Sequence, residues 1–258
     1  MLDFCISEVF MDKYIKYEKR IVLYLDILGF KSAIDKSIED YGILKSIHKV
    51  LNNIYSDRVK NYHGPLEGAS YGMHVSVFSD NIVMSIPYET ENSFYDFIRS
   101  TYWLVNEILW DGFLARGAIT IGDLYHDDKI IFGPALNEAY QMESELSIYP
   151  RVIISKQTFM VGMENISKIK VEEVVKSFEQ ILPVDNDGFY FLNYFTKSHE
   201  FYDTEVYLDF LIKIKRLIVE GLKNDSLKAR PKYEWLKRQY NKLYDEGIDA
   251  RAPGRIIG

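Results

Sequence analysis

The chain has 258 residues, 47% of them apolar and 15% aromatic, which suffices for one large domain, or a domain with an appendage, around a sizeable core. A formal net charge of −7 argues against a general nucleic-acid binder, because that role requires clustered positive charge. The single cysteine excludes an internal disulfide, and no apolar run approaches the roughly 20 residues of a membrane span. Residues 1–14 are too acidic and interrupted for a signal peptide, so we expect a cytoplasmic protein that binds neither nucleic acid nor a membrane.

The first part of the chain alternates predicted strands with predicted helices. Short apolar runs bounded by turn residues predict buried strands, and apolar residues at helical spacing predict helices. The elements predicted before residue 112 are, in order, strand Ile21–Leu25, helix Glu39–Lys60, strands Met73–Phe78 and Asn81–Ile86, and a helix from Phe94 to Trp110.

The next segment predicts a strand at Phe113–Ile121, a turn at Gly122-Asp123 and a short return strand at Lys129–Phe132. A helix then opens at Gly133-Pro134, and another buried strand follows at Arg151–Ser155. The order β-α-β-β-α-β-(β)-α-β is that of a split βαβ unit, in which helices cover one face of a mostly antiparallel sheet. The sequence therefore predicts an α+β, ferredoxin-like βαββαβ core domain over residues 15–162.

Residues 163–258 are predicted to form an extension that packs on this domain. The run Asp185–Gly188 is a strong turn signal and predicts a β-hairpin. Two amphipathic helices follow, Thr204–Leu222 and Lys232–Tyr244, and residues 249–258 are predicted to be a flexible tail. A basic run precedes and enters the second helix; we interpret it as a solvated helix face, with triphosphate binding as the alternative.

Two aspartates at strand ends form the candidate site. Asp26 follows the first strand, and Asp80 lies between the two strands of the predicted hairpin. If these strands are neighbours, the carboxylates converge and can bridge two divalent cations about 4 Å apart, which activate a hydroxyl and neutralise a leaving pyrophosphate. Oxygen ligands select Mg²⁺ or Mn²⁺ over zinc. The spacing alone favours an ordinary structural role, in which each aspartate caps a turn or pairs with a lysine.

Five blocks of the sequence resemble the class III nucleotidyl cyclases. YLDILGF resembles the family's first block, F-x-D-I-x-G-F, and FSDNIVM resembles its second metal-aspartate hairpin. ARGAITIGDLY resembles its R-x-G-I-x-x-G strand, FGPALNEAYQMES its G-x-x-V-N-x-A-x-R-x-E helix, and PRVIIS the strand that follows. The blocks occur in the family's order over residues 20–155, and they agree with the strand and helix order predicted without them.

The resemblance implies a catalytic site for a nucleoside triphosphate. Asp26 and Asp80 would be the ligands of two divalent cations, Mn²⁺ or Mg²⁺, with the carbonyl of Ile27 as a further ligand. The backbone that would hold the triphosphate comprises Leu28, Gly29, Phe30 and Lys31. The family forms its sites between two chains, so in a homodimer the two aspartates would face Asn137, Tyr140 and Gln141 of a second copy.

The chain departs from the family at the positions that read the base. Ser76 stands where the purine cyclases have an adenine-reading lysine, and Ile130 stands at the second base-reading position. Adenine or guanine readout in the usual manner is therefore not expected. The five histidines show no metal-ligand spacing, and we interpret them as surface or packing residues.

A second departure concerns the transition state. Asn137 keeps the asparagine that orients the ribose, but Gln141 replaces the arginine that stabilises the transition state. Either catalysis is lost or another cation acts in its place, for which Arg151, Arg116 and the lysines near residue 129 are candidates. Structural roles stay open for three of the residues in these blocks: an ion pair that anchors the sheet for Arg116, a pair with Arg151 for Glu143, and core packing for Tyr140.

The whole pattern resembles most closely the pyrimidine cyclases of bacterial Pycsar antiphage systems. That resemblance implies conversion of UTP or CTP to cyclic UMP or cyclic CMP, with a separately encoded effector protein that responds to the product. Two alternatives stay open. One is a purine cyclase with atypical base readers, and the other is a catalytically silent module that binds nucleotide or dimerises.

Overall fold

The computed structural model of the chain describes residues 15–55, 72–89, 91–196, 203–224, 226–245, 247 and 251–257. The strands are β1 Glu18–Leu28, β2 His74–Phe78, β3 Asn81–Pro87, β4 Leu114–His126, β5 Ile131–Phe132, β6 Val152–Ile154 and β7 Tyr190–Phe191. The helices are α1 Phe30–Ser37, α2 Tyr41–Tyr55, α3 Ser93–Trp110, α4 Pro134–Gln141, α5 Lys156–Glu164, α6 Val171–Ile181, α7 Thr204–Leu222 and α8 Arg230–Asp245. A π-helical turn, Met142–Leu146, continues α4.

The sheet has the strand order β2-β3-β1-β4-β6-β7, and β5 pairs with β4 outside this path. Strand β1 is antiparallel to both of its neighbours, β3 and β4, whereas β4 and β6 run parallel. The order β2-β3-β1-β4 with antiparallel neighbours is the split βαβ arrangement of ferredoxin-like folds. The predicted α+β, ferredoxin-like fold is therefore confirmed.

The two faces of β1 pack against different layers, because successive side chains of a strand point to opposite sides. Ile21, Leu23 and Leu25 are fully buried in the main hydrophobic core, which includes most of one face of α3. Buried residues of α6, α7 and α8 belong to the same cluster, so residues beyond 162 share this core. Val22 and Tyr24 lie on the other face, in a smaller cluster with Ala135 of α4.

The helix predicted over residues 39–60 is confirmed by α2, which begins within two residues of the predicted start. A further helix, α1, precedes it and begins directly after Gly29, whose φ of 77° ends β1 in a left-handed turn. Asp40 separates α1 from α2, because its carboxylate accepts hydrogen bonds from the backbone N–H groups of Gly42 (2.8 Å) and Ile43 (3.3 Å) and so caps α2. Residues 56–60 lie outside the described residues.

The turn predicted at Gly122-Asp123 is wrong, since β4 continues to His126. A side chain at Gly122 would meet the Cβ atom of Ala135 at 3.3 Å, so this glycine permits the close approach of α4 to the sheet rather than a turn. The chain turns directly after β4, where the Asp127 carboxylate accepts hydrogen bonds from the backbone N–H groups of Lys129 (2.8 Å) and Ile130 (2.7 Å).

The C-terminal elements follow the prediction with two exceptions, the helix α6, which was not predicted, and the tail. The turn at residues 185–188 and both long helices are confirmed within two residues. The tail is not loose over residues 251–257: Ile256 is buried, and its backbone exchanges hydrogen bonds of 2.9 and 3.1 Å with the Asn241 side chain. In the part of the chain that the structure describes, no helix is long and apolar enough to cross a membrane.

Candidate active site at the end of β1

The two predicted metal aspartates lie at the same end of the central strand. Asp26 of β1 pairs in register with Asn81 of β3, and the N–H of Ile27 donates a 2.9 Å hydrogen bond to the carbonyl of Asp80. The tight turn between β2 and β3 places Ser79 at a positive φ of 58°, and this brings Asp80 against β1. The convergence that the strand pattern predicted for Asp26 and Asp80 is therefore present in the backbone.

Tyr24 lies within electrostatic reach of both aspartates. Its hydroxyl donates a 2.6 Å hydrogen bond to the Asn81 side-chain oxygen, and the Asn81 amide donates to the Asp80 carboxylate at 3.2 Å. Burial raises the pKa of Tyr24 to about 12, and the negative charges of Glu143, Asp26 and Asp80 raise it further in the same direction. Both carboxylates thus act on one phenol, which stays protonated and holds Asn81 against Asp80.

Arg116 and Glu143 complete a charged cluster around Asp26. Arg116 lies opposite Asp26 in the β1–β4 register, and its Nε atom is 3.2 Å from Asp26 Oδ2 and 2.7 Å from Glu143 Oε1. The π-helical turn after α4 points Glu143 inward, where its side chain is 4% exposed. Burial raises the pKa of Glu143, which the charge of Arg116 opposes. The expected pair between Glu143 and Arg151 is wrong.

Lys232 of α8 also reaches this cluster, which corrects its interpretation as part of a solvated helix face. The lysine is partly buried, and its pKa is lowered by burial first and by the charge of Arg116 next. Asp26 and Glu143 oppose the shift, so all three groups lie within electrostatic reach of the ammonium. The local sequence does not distinguish Lys232 from the neighbouring basic residues. Its position near Asp26 follows only from the packing of α8.

A cleft of about 700 Å³ opens beside this cluster, between the Gly29 turn and the segment before α8. Leu28 and Gly29 line it, together with three lysines, Lys36, Lys228 and Lys232. Two aspartates, Asp40 and Asp111, line it as well. Of the four residues expected to hold a triphosphate, the first two therefore line a cleft that carries both lysines and aspartates. The other two do not line it: Phe30 is buried with its ring 6.4 Å from that of Phe113, and Lys31 is exposed.

The helix residues predicted to face the aspartates across a dimer lie on an open surface. Asn137 and Gln141 are exposed, and the Gln141 amide donates a 3.2 Å hydrogen bond to Glu145. Tyr140 is 54% exposed and is therefore not a core residue; its ring meets that of Tyr24 edge-on, with 5.4 Å between the centroids. This contact brings α4 of the same chain within two residues of Asp26.

Arg151 is not at the site. It is fully buried, and its guanidinium pairs with Asp185 at 2.5 Å and also with Asp187, both from the turn before β7. Trp235 Nε1 donates to the same Asp185 carboxylate at 3.0 Å. The prediction of Arg151 as a catalytic cation is therefore not supported by its position, which is that of a link between β6 and the C-terminal segment.

The two base-reading positions differ in their surroundings. Ser76 is partly buried, and its hydroxyl lies 3.0 Å from Nε2 of His126. His126 is itself 6% exposed and belongs to a hydrogen-bonded network, which its interpretation as a simple packing residue missed. Ile130 is 56% exposed in the turn after β4.

The donor set at the end of β1 fits a hard divalent cation. Within the described ranges, no group of three or more His, Cys, Asp and Glu side chains is arranged to hold a metal ion. Mg²⁺ needs no such group, because it keeps several waters and is commonly held by one or two carboxylates and the phosphates of a substrate. Asp26 and Asp80 supply two carboxylates, and the bound cation would neutralise charge on a triphosphate.

Comparisons with known proteins give only distant structural likenesses. No protein-family model and no curated protein sequence matches the chain. One similar solved structure is a class III adenylyl cyclase-like ATP-binding protein from Pseudomonas aeruginosa, with 12% identity and a TM-score of 0.41 over 63% of this chain. The likeness spans 40% of that protein's length. Another is the catalytic core of a rhodopsin-guanylyl cyclase with converted specificity in complex with ATPαS, with 14% identity and a TM-score of 0.45 over 69% of this chain and 96% of that one. Both likenesses are too distant to establish an activity.

Proposed function

We propose that the chain is a metal-dependent nucleotidyl cyclase, which converts a nucleoside triphosphate to a 3′,5′-cyclic monophosphate and pyrophosphate. The observation that carries this proposal is the pairing of Asp26 and Asp80 at one end of β1, where a 2.9 Å backbone hydrogen bond joins the two segments. A cleft with three lysines opens beside the pair. Carboxylates that hold a cation, next to a cleft whose lysines can bind phosphates, are what phosphoryl transfer requires.

The proposed reaction needs little covalent chemistry from the protein. The 3′-oxygen forms a bond to the α-phosphorus, the bond from that phosphorus to the β-phosphate oxygen breaks, and the hydroxyl proton passes to solvent. Asp26 and Asp80 would hold Mg²⁺ or Mn²⁺, with the Ile27 carbonyl as a further ligand, while the cleft at Leu28 and Gly29 would bind the triphosphate. Positioning and charge stabilisation then account for most of the rate.

Two cations are available to take the part that Gln141 cannot. Arg116 contacts Asp26 directly, and Lys232 lies within electrostatic reach of the same carboxylate. Both act in a partly buried cluster, where a charge interacts more strongly than it does in water. We assign to Arg116 and Lys232 the stabilisation of negative charge that develops on the phosphates, and we leave Arg151 out of the catalytic set.

The finer parts of the proposal rest on the resemblance described above. The substrate is proposed to be UTP or CTP, since Ser76 and Ile130 replace both purine readers. A homodimer is proposed because the related enzymes share sites between two copies, with Asn137 as the ribose-orienting residue. The cyclic nucleotide is proposed to act as an antiphage second messenger that reaches a separate effector protein.

A substrate panel tests the proposal. The purified chain is incubated with ATP, GTP, CTP or UTP and Mn²⁺, and the cyclic product and pyrophosphate are quantified by mass spectrometry. We expect product from a pyrimidine triphosphate and a loss of about 10²-fold or more in Asp26→Asn and Asp80→Asn, because each change removes a charged oxygen ligand. Asp209→Asn, on the exposed face of α7, is the matched control. Wild-type activity in either site variant contradicts the assignment, and product from ATP or GTP alone contradicts the pyrimidine part.

One observation favours a second candidate, a silent nucleotide-binding module. Gln141 stands at the transition-state position and is already bonded to Glu145, while Asp26 is paired with Arg116. A silent module would bind a triphosphate tightly in the presence of Mn²⁺ and release no pyrophosphate. The same incubations, followed by a binding titration, separate this candidate from the cyclase.

A further inference from the structure

Glu143 carries a buried oxygen atom that is not hydrogen-bonded. Its side chain is 4% exposed, and Oε1 accepts no hydrogen bond in the part of the chain that the structure describes. Buried acceptors of this kind are rare and costly, so each one requires an explanation. Arg116 Nε lies only 2.7 Å from the same atom. The oxygen therefore has a donor within reach that is bonded elsewhere.

The hydrogen of Arg116 Nε is directed at Asp26. Nε carries a single hydrogen, and it donates to Asp26 Oδ2 at 3.2 Å. The shorter approach to Glu143 is too poorly aligned to be a hydrogen bond, since the strength of such bonds depends steeply on angle. Burial raises the pKa of Glu143, and so does the charge of Asp26, which places the two carboxylates within electrostatic reach of each other. One donor thus stands between two competing acceptors.

The other nitrogens of this guanidinium hold it weakly. Nη1 lies 3.5 Å from the carbonyl oxygen of Ser147, at the limit of a hydrogen bond, and Nη2 has no hydrogen bond among the described residues. Asp26 is therefore the main restraint on the orientation of Arg116. Because Glu143 Oε1 is already nearer to Nε than Asp26 Oδ2 is, a rotation of the side chain redirects the hydrogen without a shift of β4 or of the π-helical turn.

The two acceptors differ in what else can reach them. The Asp26 side chain is 19% exposed, and the proposed function assigns its carboxylate to a divalent cation. A guanidinium 3.2 Å from Oδ2 repels a second positive charge at the same carboxylate, and it does so most strongly in a partly buried site. Glu143 is too buried to be an open metal ligand, but it offers the guanidinium a charged acceptor in the interior. Loading of Asp26 therefore favours the turn of Arg116 towards Glu143.

We propose that Glu143 is a positioning residue, which accepts the Nε hydrogen of Arg116 when Asp26 binds a divalent cation. Arg116 then has two positions, on Asp26 in the metal-free chain and on Glu143 in the loaded chain, and its proton stays on Nε in both. In the second position Nη2 remains available to the phosphates of a substrate, the role assigned to this arginine above. The inference rests on the proposed function, of which it specifies how the cation site changes from its metal-free to its loaded state.

The first test observes the Nε–H group of Arg116 by ¹H–¹⁵N NMR, without nucleotide. Its resonance is identified by its loss in Arg116→Lys. We expect saturating Mg²⁺ to shift this resonance in the wild-type chain while exchange of the hydrogen with water stays slow, because the hydrogen passes from one carboxylate to another. In Glu143→Gln with saturating Mg²⁺, exchange should be about tenfold faster or more, since an amide oxygen is a weaker acceptor than a carboxylate.

The second test measures the Kd of Mn²⁺ from the electron paramagnetic resonance signal of the free cation. We expect Glu143→Gln to raise this Kd about tenfold, because Arg116 then stays on Asp26 and competes with the cation. Glu138→Gln is the matched control: it removes the same charge at an exposed position of α4, and its Kd should stay within about twofold of the wild-type value.

The outcomes separate this inference from the proposed function. An Arg116 resonance that does not shift when the cation binds overturns the inference, and so does a Kd that is the same in Glu143→Gln and in the wild-type chain; turnover of a triphosphate would still support the cyclase in both cases. Transfer of the hydrogen to Glu143 without turnover supports the inference and defeats the cyclase. Absence of cation binding defeats both. The wild-type spectra give a result even if Glu143→Gln does not fold.

Discussion

Two arginines in this chain are each paired with two carboxylates, and their surroundings differ. Arg151 is fully buried, pairs with Asp185 and Asp187, and lies under the aromatic rings of Tyr149 and Trp235. The side chain of Arg116 is 24% exposed and pairs with Asp26 and Glu143 beside an open cleft. The first cluster has little access to a ligand, whereas the second can exchange one partner for another. The closed cluster serves the fold, and the open one suits chemistry.

Replacing the closed arginine should have the largest effect. Arg151→Met leaves two aspartates unpaired against the C-terminal segment, and removal of one partner of a buried ion pair costs about 3–5 kcal/mol. Urea unfolding followed by circular dichroism measures the change. Arg251→Met is the control, because Arg251 pairs with Glu205 at an exposed position and such pairs contribute below about 1 kcal/mol. An Arg151→Met variant that keeps its stability but loses activity would contradict the structural role that we assign to Arg151.

Replacing the open arginine should affect activity more than stability. Arg116→Met removes the group that orients Asp26, and loss of a partner that orients a metal ligand typically costs about 10–100-fold in activity. The measurement is kcat/KM for the preferred triphosphate beside the urea midpoint, which should shift far less than in Arg151→Met. Arg116→Lys keeps the charge but lacks the planar guanidinium, so its kcat/KM should lie between those of the wild-type chain and Arg116→Met. An unchanged kcat/KM in Arg116→Met would remove Arg116 from the site.

A smaller effect is expected from the lysine that α8 contributes. Lys232→Met should lower kcat/KM about tenfold, because Arg116 still supplies one cation beside Asp26 and solvent screens part of the remainder. The deficit should shrink as ionic strength rises, which a salt titration of both proteins detects. Lys242→Met, at the exposed end of the same helix, is the matched control and should match the wild-type chain. Equal losses in the two variants would mean that only net charge matters.

Much of the fold could be predicted because its determinants are local. The strands, the long helices α3, α7 and α8, and the positions of Asp26 and Asp80 follow from apolar spacing and from turn residues. One error occurred where a neighbouring element changes a local outcome: Gly122 serves helix packing inside β4, where a turn was predicted. Such effects depend on which neighbour is present, and apolar spacing does not carry that information.

The partners of charged residues could not be predicted in the same way. Arg116 and Arg151 each lie in a short sequence block that does not indicate which acids they pair with. The register of β1 on β4 places Arg116 opposite Asp26, and the turn at residue 185 brings Asp185 to Arg151. Lys232 lies more than 200 residues after Asp26 and reaches the site through the packing of α8. The hydrogen bonds that join Arg20, Ser85, His126 and Ser76 likewise connect side chains from β1, β3, β4 and β2.

The course of α8 has a consequence for the modularity of the chain. Its apolar side is part of the main core through Trp235 and Leu236, while Lys232 on the same helix belongs to the charged cluster around Asp26. A boundary drawn after residue 162 would therefore separate the two aspartates from one of their cations. A graft of residues 15–162 into another protein would transfer the carboxylates and leave part of their electrostatic balance behind, so the catalytic unit we propose extends to the end of α8.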